Sequence, residues 1–205
     1  MKYPGQELEI FDKATIWRKY IHALIKYYFK DNFLEVGAGI GSFTENYYKD
    51  IKNVVLTDLD KENITILKKK FSHDHNIKIE SKKIHEIEGK FNTIIYLNVL
   101  EHIEEDSIEV NSALDKLNSG GYLVIIVPAH QKLYSNFDKA VGHCRRYDVN
   151  FFKLNKFENA KIQKLIFLDL FGYILYFFNK TFYKNEVYPS KFKIFLWDKI
   201  FSPIT

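Results

Sequence analysis

Short apolar runs alternate with amphipathic stretches through the first 130 residues of the chain. The apolar runs, three of which are followed by Gly37, Asp58 or Pro128, predict strands, whereas the amphipathic stretches predict helices. Strands that alternate with helices indicate βαβ units and a parallel sheet covered on both faces. The predicted strands are 33–36, 53–57, 77–80, 93–97 and 122–127, and the predicted helices are 17–29, 42–50, 61–71, 107–117 and 150–157.

The pattern changes after Pro128, where the chain becomes aromatic and basic. Residues 161–168 predict a sixth strand, and no convincing seventh strand follows. The aromatic tail predicts either a segment that covers the sheet or a cap, flanked by lysines, that faces lipid or an apolar substrate. The sequence therefore predicts an N-terminal helical cap over 1–30, a core over 31–170 and a C-terminal tail over 171–205.

The composition of the chain excludes several classes of protein and several kinds of site. The 205 residues are 46% hydrophobic, 17% aromatic and 27% charged, which excludes a disordered or collagen-like chain. The single cysteine, Cys144, excludes an internal disulfide and a cysteine-based zinc site, and the scattered histidines predict no metal site. The net charge of +4 is a weak footprint for nucleic acid. The polar N-terminus and the interrupted apolar runs predict a cytoplasmic protein.

Three glycines, Gly37, Gly39 and Gly41, directly follow the first predicted strand. Glycine there permits a positive φ and lets a ligand approach the backbone, although a tight turn without a ligand has the same composition. The spacing G-x-G-x-G differs from the dinucleotide fingerprint G-x-G-x-x-G, which makes a pyrophosphate ligand less suitable. Asp58 ends the second strand 19 residues after Gly39, where an acid can hold the hydroxyls of a ribose.

Four segments in the same order resemble the class I S-adenosylmethionine-dependent methyltransferases. Residues 34–41 resemble their motif I, residues 56–58 their second-strand acidic motif, residues 91–103 their fourth-strand motif and residues 117–123 the turn before strand five. The resemblance implies an α/β protein with a three-layer α/β/α Rossmann-like fold and strand order 3-2-1-4-5. It also implies a sixth strand and a missing or irregular seventh. The implied cofactor is S-adenosyl-L-methionine, with S-adenosyl-L-homocysteine as the product.

The resemblance also implies which residues bind the cofactor. The glycine loop would line the methionine and ribose, Glu35 would lie beneath the amino group, and Asp58 would hold the ribose. Lys83 stands where many members of the family carry an aspartate that accepts from adenine. The backbone around Ile84, or Glu80 or Glu86, would then take that role. The implied cofactor-binding residues are Glu35, Gly37, Ala38, Gly39, Gly41, Asp58, Leu59, Lys83, Ile84, Asn98, Val99 and His102.

Methyl transfer needs alignment of the two reactants, and a base where the nucleophile carries a proton. His102 follows the fourth strand and is either that base or a contact to the helix or the cofactor. Arg145 and Arg146 are two of only three arginines, and their planar guanidinium groups suit a carboxylate or phosphate on the acceptor. The alternative is a salt bridge to Asp138 or Glu101 that pins the loop. The candidate catalytic residues are His102, His143, Arg145, Arg146 and Tyr147.

The segment 128–147 resembles a subgroup of small bacterial methyltransferases, many of them associated with sugar, lipid or surface-polysaccharide pathways. We therefore expect methyl transfer to a small-molecule acceptor that is acidic or linked to lipid or sugar. Oxygen is expected over nitrogen because Asn98-Val99-Leu100 is not the N/D-P-P-Y sequence used on nucleobase amino groups. A non-catalytic cofactor-binding partner subunit and an NAD-dependent oxidoreductase are the alternatives. Peripheral membrane contact through the tail stays open.

Overall fold

The computed structural model describes residues 8, 11–154, 157, 160–170, 172–174, 176–177, 188 and 190–201. These residues form two compact units. Unit 1 comprises residues 22–127, and unit 2 comprises the described residues of 8–21 and 128–201. Much of the predicted tail lies outside the described residues.

Unit 1 contains a five-stranded sheet with the order β3-β2-β1-β4-β5, and all four strand pairings are parallel. The predicted strand order is therefore confirmed. Because β1 lies between β2 and β4, the chain winds away from β1 in both directions, which opens a crevice at the carboxyl ends of these strands. The strands are β1 (Phe33–Val36), β2 (Val54–Thr57), β3 (Ile77–Glu80), β4 (Phe91–Leu97) and β5 (Leu117–Ile126).

The two faces of β1 bury different side chains. Leu34 and Val36 belong to a core cluster that includes Ile94 and Tyr96 of β4. Phe33 and Glu35 point to the opposite face because successive residues of a strand alternate. There Phe33 packs against the ring of Tyr47, with ring centroids 4.7 Å apart. Glu35 is thus carried into the interior by the alternation of its own strand.

Three of the four helices predicted before β5 are formed, and the helix predicted over residues 42–50 is not. Residues 42–50 form two 3₁₀ turns, Thr44–Asn46 and Tyr48–Asp50, in place of the predicted helix. Side chains three residues apart eclipse in 3₁₀ geometry, which lets the hydroxyls of Thr44 and Tyr47 reach one buried carboxylate. The helices are α1 (Thr15–Ile25), whose first part lies in unit 2, α2 (Lys61–Lys70) and α3 (Asp106–Asp115).

Strand β5 begins earlier than its apolar pattern predicts. Residues 119–121 are predicted as a turn, yet the strand starts at Leu117 and its pairing with β4 shifts register between Phe91 and Thr93. The irregularity requires glycine, since Gly120 has a φ of +73° and a Cβ at Gly121 would lie 2.9 Å from the Asn118 carbonyl oxygen. The Ser-Gly-Gly sequence therefore marks a bulge.

Unit 2 is built from short helices. Asp198 ties its two ends together: its carboxylate accepts from the backbone N–H of Trp17 at 2.8 Å and of Ile16 at 3.3 Å. A carboxylate there stabilises the positive end of the α1 dipole. None of the helices that the structure describes is both long enough and apolar enough to cross a bilayer. Further helices are α4 (Asn136–Val141), α5 (Val149–Leu154) and α6 (Lys191–Leu196), which continues into a π turn over Trp197–Phe201.

The predicted sixth strand is not formed. Residues 161–169 carry neither helix nor strand. A strand needs a neighbour that satisfies its backbone groups, and the only β-pairing in the described part of unit 2 is a single bridge between Ala129 and Tyr147. Most of the predicted seventh-strand region lies outside the described residues.

Candidate active site

The glycine loop follows β1 at the carboxyl edge of the sheet, and all three of its glycines have a positive φ, between 56° and 75°. Two of them are also required by packing. A Cβ on Gly37 would lie 2.5 Å from Cγ2 of Val99. A Cβ on Gly41 would lie 2.7 Å from the ring of Phe71. The loop therefore brings bare backbone to the crevice and is held there by close contacts on two sides.

Asp58 lies at the carboxyl end of β2, beside this loop. Its Oδ2 accepts from the backbone N–H of Gly39 at 2.9 Å, and its Oδ1 accepts from the backbone N–H of Asp60 at 2.8 Å. These bonds fix the orientation of the carboxylate and leave further lone pairs as acceptors. Burial raises the pKa of Asp58 above its ordinary value, and the two backbone hydrogen bonds act against that rise.

Glu35 is only 2% exposed. Its Oε2 accepts from the Thr44 hydroxyl at 2.6 Å and from the Tyr47 hydroxyl. Burial raises the pKa of Glu35 to about 7, and burial together with the nearby Glu35 raises that of Tyr47. The sequence predicts this carboxylate beneath a ligand amino group. The structure gives it two hydroxyl donors and makes it an anchor for the turns that follow the glycine loop.

The residues predicted to lie near adenine include both apolar and polar side chains. Leu59, next to Asp58, is exposed and offers an apolar face. Ile84 is buried in the core of unit 1, so only its backbone can reach a ligand. The backbone N–H of Lys83 donates to the Glu86 carboxylate at 2.8 Å, which engages one of the two predicted substitute acids. The other, Glu80, forms ion pairs with two lysines, Lys78 and Lys82.

The chain turns sharply after β4. Asn98 is exposed and has a φ of +53°, and its N–H donates to the Ile126 carbonyl of β5 at 2.9 Å. A non-glycine residue in the left-handed region is uncommon and concentrates at functional sites. Val99 then packs against Gly37, and His102 ends the next 3₁₀ turn with its N–H on the Val99 carbonyl at 3.0 Å. Unit 1 thus gathers Asn98 and Val99 beside the glycine loop.

In unit 2, the segment after β5 is organised by Asp138, whose side chain is fully buried. Its Oδ1 accepts from Nδ1 of His143 at 2.9 Å and from Nε of Arg146 at 2.8 Å. Its Oδ2 accepts from the Tyr176 hydroxyl at 2.8 Å and from the backbone N–H of Ser135 at 2.9 Å. Burial alone would raise the pKa of Asp138, but the His143 hydrogen bond and the Arg146 charge outweigh burial and hold it well below its usual range.

The predicted arginine pair therefore has one member in a structural role. The Arg146 guanidinium lies 4.1 Å from the centroid of the Tyr176 ring in addition to its bond to Asp138. The side chain of Tyr147 is buried and packs edge-on against Phe151, with ring centroids 4.8 Å apart. Arg145 is partly exposed. Of the alternatives that the sequence leaves open for Arg146, the structure forms the salt bridge.

Sequence reasoning gave Asp138 only as a possible ion-pair partner and did not predict its central position. A local signal was present. Ser135 and Asp138 form a capping box at the start of α4, in which Ser135 N–H donates to the Asp138 carboxylate. Gly142 follows the helix with a φ of +84°, as helix ends often require. The partnership of Tyr176, 38 residues further on, leaves no such local signal.

Comparison with known proteins agrees with this geometry. A family model described as a methyltransferase domain matches residues 13–161. A search of curated proteins finds no match. Similar solved structures include an S-adenosylmethionine-dependent methyltransferase from Clostridium acetobutylicum ATCC 824, with 22% identity over 62% of this chain and 58% of that chain and a TM-score of 0.53.

Two further structures share the fold. They are the YcgJ protein from Bacillus subtilis (14% identity, 66% of this chain and 65% of that chain, TM-score 0.57) and N-methyltransferase NodS from Bradyrhizobium japonicum WM9 in complex with S-adenosyl-L-homocysteine (19%, 55% and 60%, TM-score 0.50). The chain spans about three fifths of the length of these structures. Because the family model covers well over half of the chain, and the strand order is that of the class I fold, this chain belongs to the S-adenosylmethionine-dependent methyltransferase family.

Proposed function

We propose that this chain transfers the methyl group of S-adenosylmethionine to an oxygen atom of a small-molecule acceptor that is acidic or linked to lipid or sugar. The observation that carries the proposal is the carboxylate of Asp58, fixed by the Gly39 N–H at 2.9 Å beside a loop of three positive-φ glycines. That arrangement offers backbone to a ligand on one side and a charged acceptor of hydrogen bonds to ribose hydroxyls on the other.

The residues of unit 1 fit the cofactor in type. Asp58 would hold the ribose, exposed Leu59 would contact adenine, and Asn98 with Val99 would lie near the methionine end. When bound, S-adenosylmethionine supplies an electrophilic methyl group, and the protein supplies alignment and a proton acceptor. Glu35 would act indirectly, through the turns that its carboxylate anchors.

We assign the acceptor side to His143 and Arg145 of unit 2, and His102 of unit 1 stays a separate candidate for the base. Nδ1 of His143 is hydrogen-bonded to Oδ1 of Asp138 at 2.9 Å, which fixes the orientation of the imidazole ring. We assign recognition of an acidic acceptor group to Arg145, whose side chain is partly exposed. The fit of guanidinium to carboxylate and phosphate supports an acidic acceptor.

Isothermal titration of the full chain with S-adenosylmethionine, and with NAD as the competing cofactor, tests the binding half of the proposal. Asp58→Ala should weaken S-adenosylmethionine binding by about 30-fold or more, because it removes two charge-assisted hydrogen bonds. Asp58→Asn keeps one acceptor oxygen, so its affinity for S-adenosylmethionine should lie between that of the unmodified chain and that of Asp58→Ala. Glu62→Gln, at an exposed carboxylate on α2, is the matched control and should leave the affinity unchanged.

Release of S-adenosylhomocysteine across a panel of acceptors tests the transfer half. Acidic sugars and lipid-linked sugars should support turnover, with the methyl group found on oxygen by mass spectrometry. NAD binding without S-adenosylmethionine binding would overturn the proposal. Cofactor binding without turnover on any acceptor would favour a non-catalytic partner subunit.

A further inference from the structure

Exposed apolar side chains concentrate in the C-terminal part of unit 2. Of the fifteen large apolar side chains exposed in the described residues, ten lie between positions 162 and 200. Single exposed apolar residues are ordinary, but a concentration of them marks an interaction site. Its members are Ile162, Leu165, Ile166, Phe167, Leu170, Ile174, Phe177, Phe192, Phe195 and Ile200, which we call the C-terminal apolar surface.

Helix α6 shows that these exposed side chains are more than the outward-facing side of a helix that covers a core. Ile194 and Asp198, four residues apart, are buried on one side. Phe192 and Phe195, three residues apart, are 67% and 56% exposed on another. A helix that serves only to cover a core would carry polar residues there. Helix α6 therefore exposes two large aromatic side chains in addition to burying Ile194.

The same part of the chain carries the positive charge. Residues 160–205 contain seven lysines and three acids, a net charge of +4, which equals the net charge of the whole chain and leaves the remainder neutral. Lys161 and Lys164 are exposed within the stretch that holds Ile162, Leu165 and Ile166. The apolar side chains are therefore interspersed with ammonium groups.

Two of the three acids are engaged inside unit 2. Asp198 is 1% exposed and accepts from the backbone at the start of α1. Asp169 accepts from the Gly172 N–H at 2.6 Å and from Nε1 of Trp197 at 2.8 Å. Both carboxylates are thus bonded to donors within unit 2. Lys199 remains 44% exposed although it lies 3.7 Å from Asp198.

We propose that the C-terminal apolar surface docks on an anionic membrane surface. Its apolar side chains enter the interface between headgroups and acyl chains, and its lysines meet the anionic headgroups. Charge decides between this occupant and a second copy of the chain. Two copies joined by this surface would bring like charges together, whereas an anionic bilayer complements both the apolar and the cationic component. The docking is independent of the proposed methyl transfer.

Co-sedimentation of the full chain with vesicles tests the proposal. The chain should bind vesicles of phosphatidylcholine mixed with phosphatidylglycerol, bind phosphatidylcholine alone much more weakly, and be released by salt. Lys161→Gln with Lys164→Gln should weaken binding by about tenfold or more, since each lysine near an anionic surface contributes roughly fivefold. Phe192→Ser with Phe195→Ser should have an effect of about the same size through lost apolar insertion.

Ile66→Ser with Ile108→Ser is the matched control, because both side chains are exposed but lie in unit 1. It should bind vesicles like the unmodified chain. Melting temperature is measured for every variant, and the lysine pair keeps the test valid if the phenylalanine pair fails to fold. Equal binding to both vesicle types, or no binding to either, would overturn the proposal. A dimer in light scattering that the phenylalanine variant dissociates would assign the surface to a second copy.

Discussion

Replacing Asp138 with asparagine should destabilise unit 2 strongly, because five hydrogen bonds end on its buried carboxylate. Ser135 donates from both its N–H and its hydroxyl, and Tyr176 donates from its hydroxyl. His143 and Arg146 donate from Nδ1 and Nε to the other carboxylate oxygen. An amide of the same shape keeps one acceptor oxygen but places an NH₂ group where two of these donors point.

The size of the stability loss follows from Arg146, the charged partner that stays buried after the substitution. The Arg146 side chain is only 8% exposed, so its charge would lose its buried carboxylate without gaining water. Breaking a buried pair by removing one partner costs about 3–5 kcal/mol. Because the folded-state pKa of Asp138 is lowered, its contribution is complete above the unfolded value of about 4 and is lost as the pH falls through the folded value. The difference between the two proteins should therefore shrink under strongly acidic conditions.

Tryptophan fluorescence during urea unfolding measures this effect selectively. Trp17 and Trp197, the only two tryptophans of the chain, both lie in unit 2 with ring centroids 5.1 Å apart. Asp148→Asn changes an exposed carboxylate near the same loop and should cost less than about 0.5 kcal/mol. A loss below about 1 kcal/mol for Asp138→Asn at pH 7 would refute the role given to this carboxylate.

Two further predictions concern unit 1. Burial raises the pKa of Glu35 to about 7 from 4.5, so the folded state holds the proton more tightly and stability falls by about 3 kcal/mol as pH rises through this window. Glu35→Gln should flatten that slope in urea unfolding followed by circular dichroism, and identical slopes would contradict the assignment. Gly37→Ala should cost about 2–4 kcal/mol through its positive φ and its contact with Val99. Adding Val99→Ala should recover the part of this cost that comes from the contact with Val99, but not the part that comes from the positive φ. Full recovery, or no recovery, would contradict this division.

The sheet was predictable because its signals are local. Three of the five predicted strands are short apolar runs followed directly by glycine, aspartate or proline, and βαβ connections then restrict the order. The departures depend on distant partners. Residues 42–50 form 3₁₀ turns because the donors at Thr44 and Tyr47 reach a carboxylate from β1. Residues 161–168 have the composition of a strand but lack a described strand to pair with.

The site divides in the same way. The contact between Asp58 and Gly39 could be predicted, since each residue follows a strand and neighbouring parallel strands end at one edge of the sheet. The role of Arg146 could not, because sequence shows two adjacent arginines without showing which one a buried carboxylate engages. Adjacent residues point apart, so the bond from Asp138 to Arg146 separates the two roles. Recognition of the acceptor by Arg145 stays a proposal.

The two buried carboxylates, Glu35 and Asp138, make the stabilities of unit 1 and unit 2 respond differently to pH. Glu35 is held by two hydroxyl groups, which soften the cost of burying a charge but do not cancel it, and its pKa rises to about 7. Asp138 receives the Arg146 charge and several donors, and its pKa falls. Acidification from pH 7 therefore protonates Glu35 in a site that favours the neutral acid, which stabilises unit 1. The ionised carboxylate that unit 2 requires is removed only under strongly acidic conditions, as the pH falls through the lowered folded-state pKa of Asp138. Acid unfolding should accordingly begin in unit 2, where the carboxylate is paired, rather than in the sheet, where the carboxyl group is already suited to being neutral.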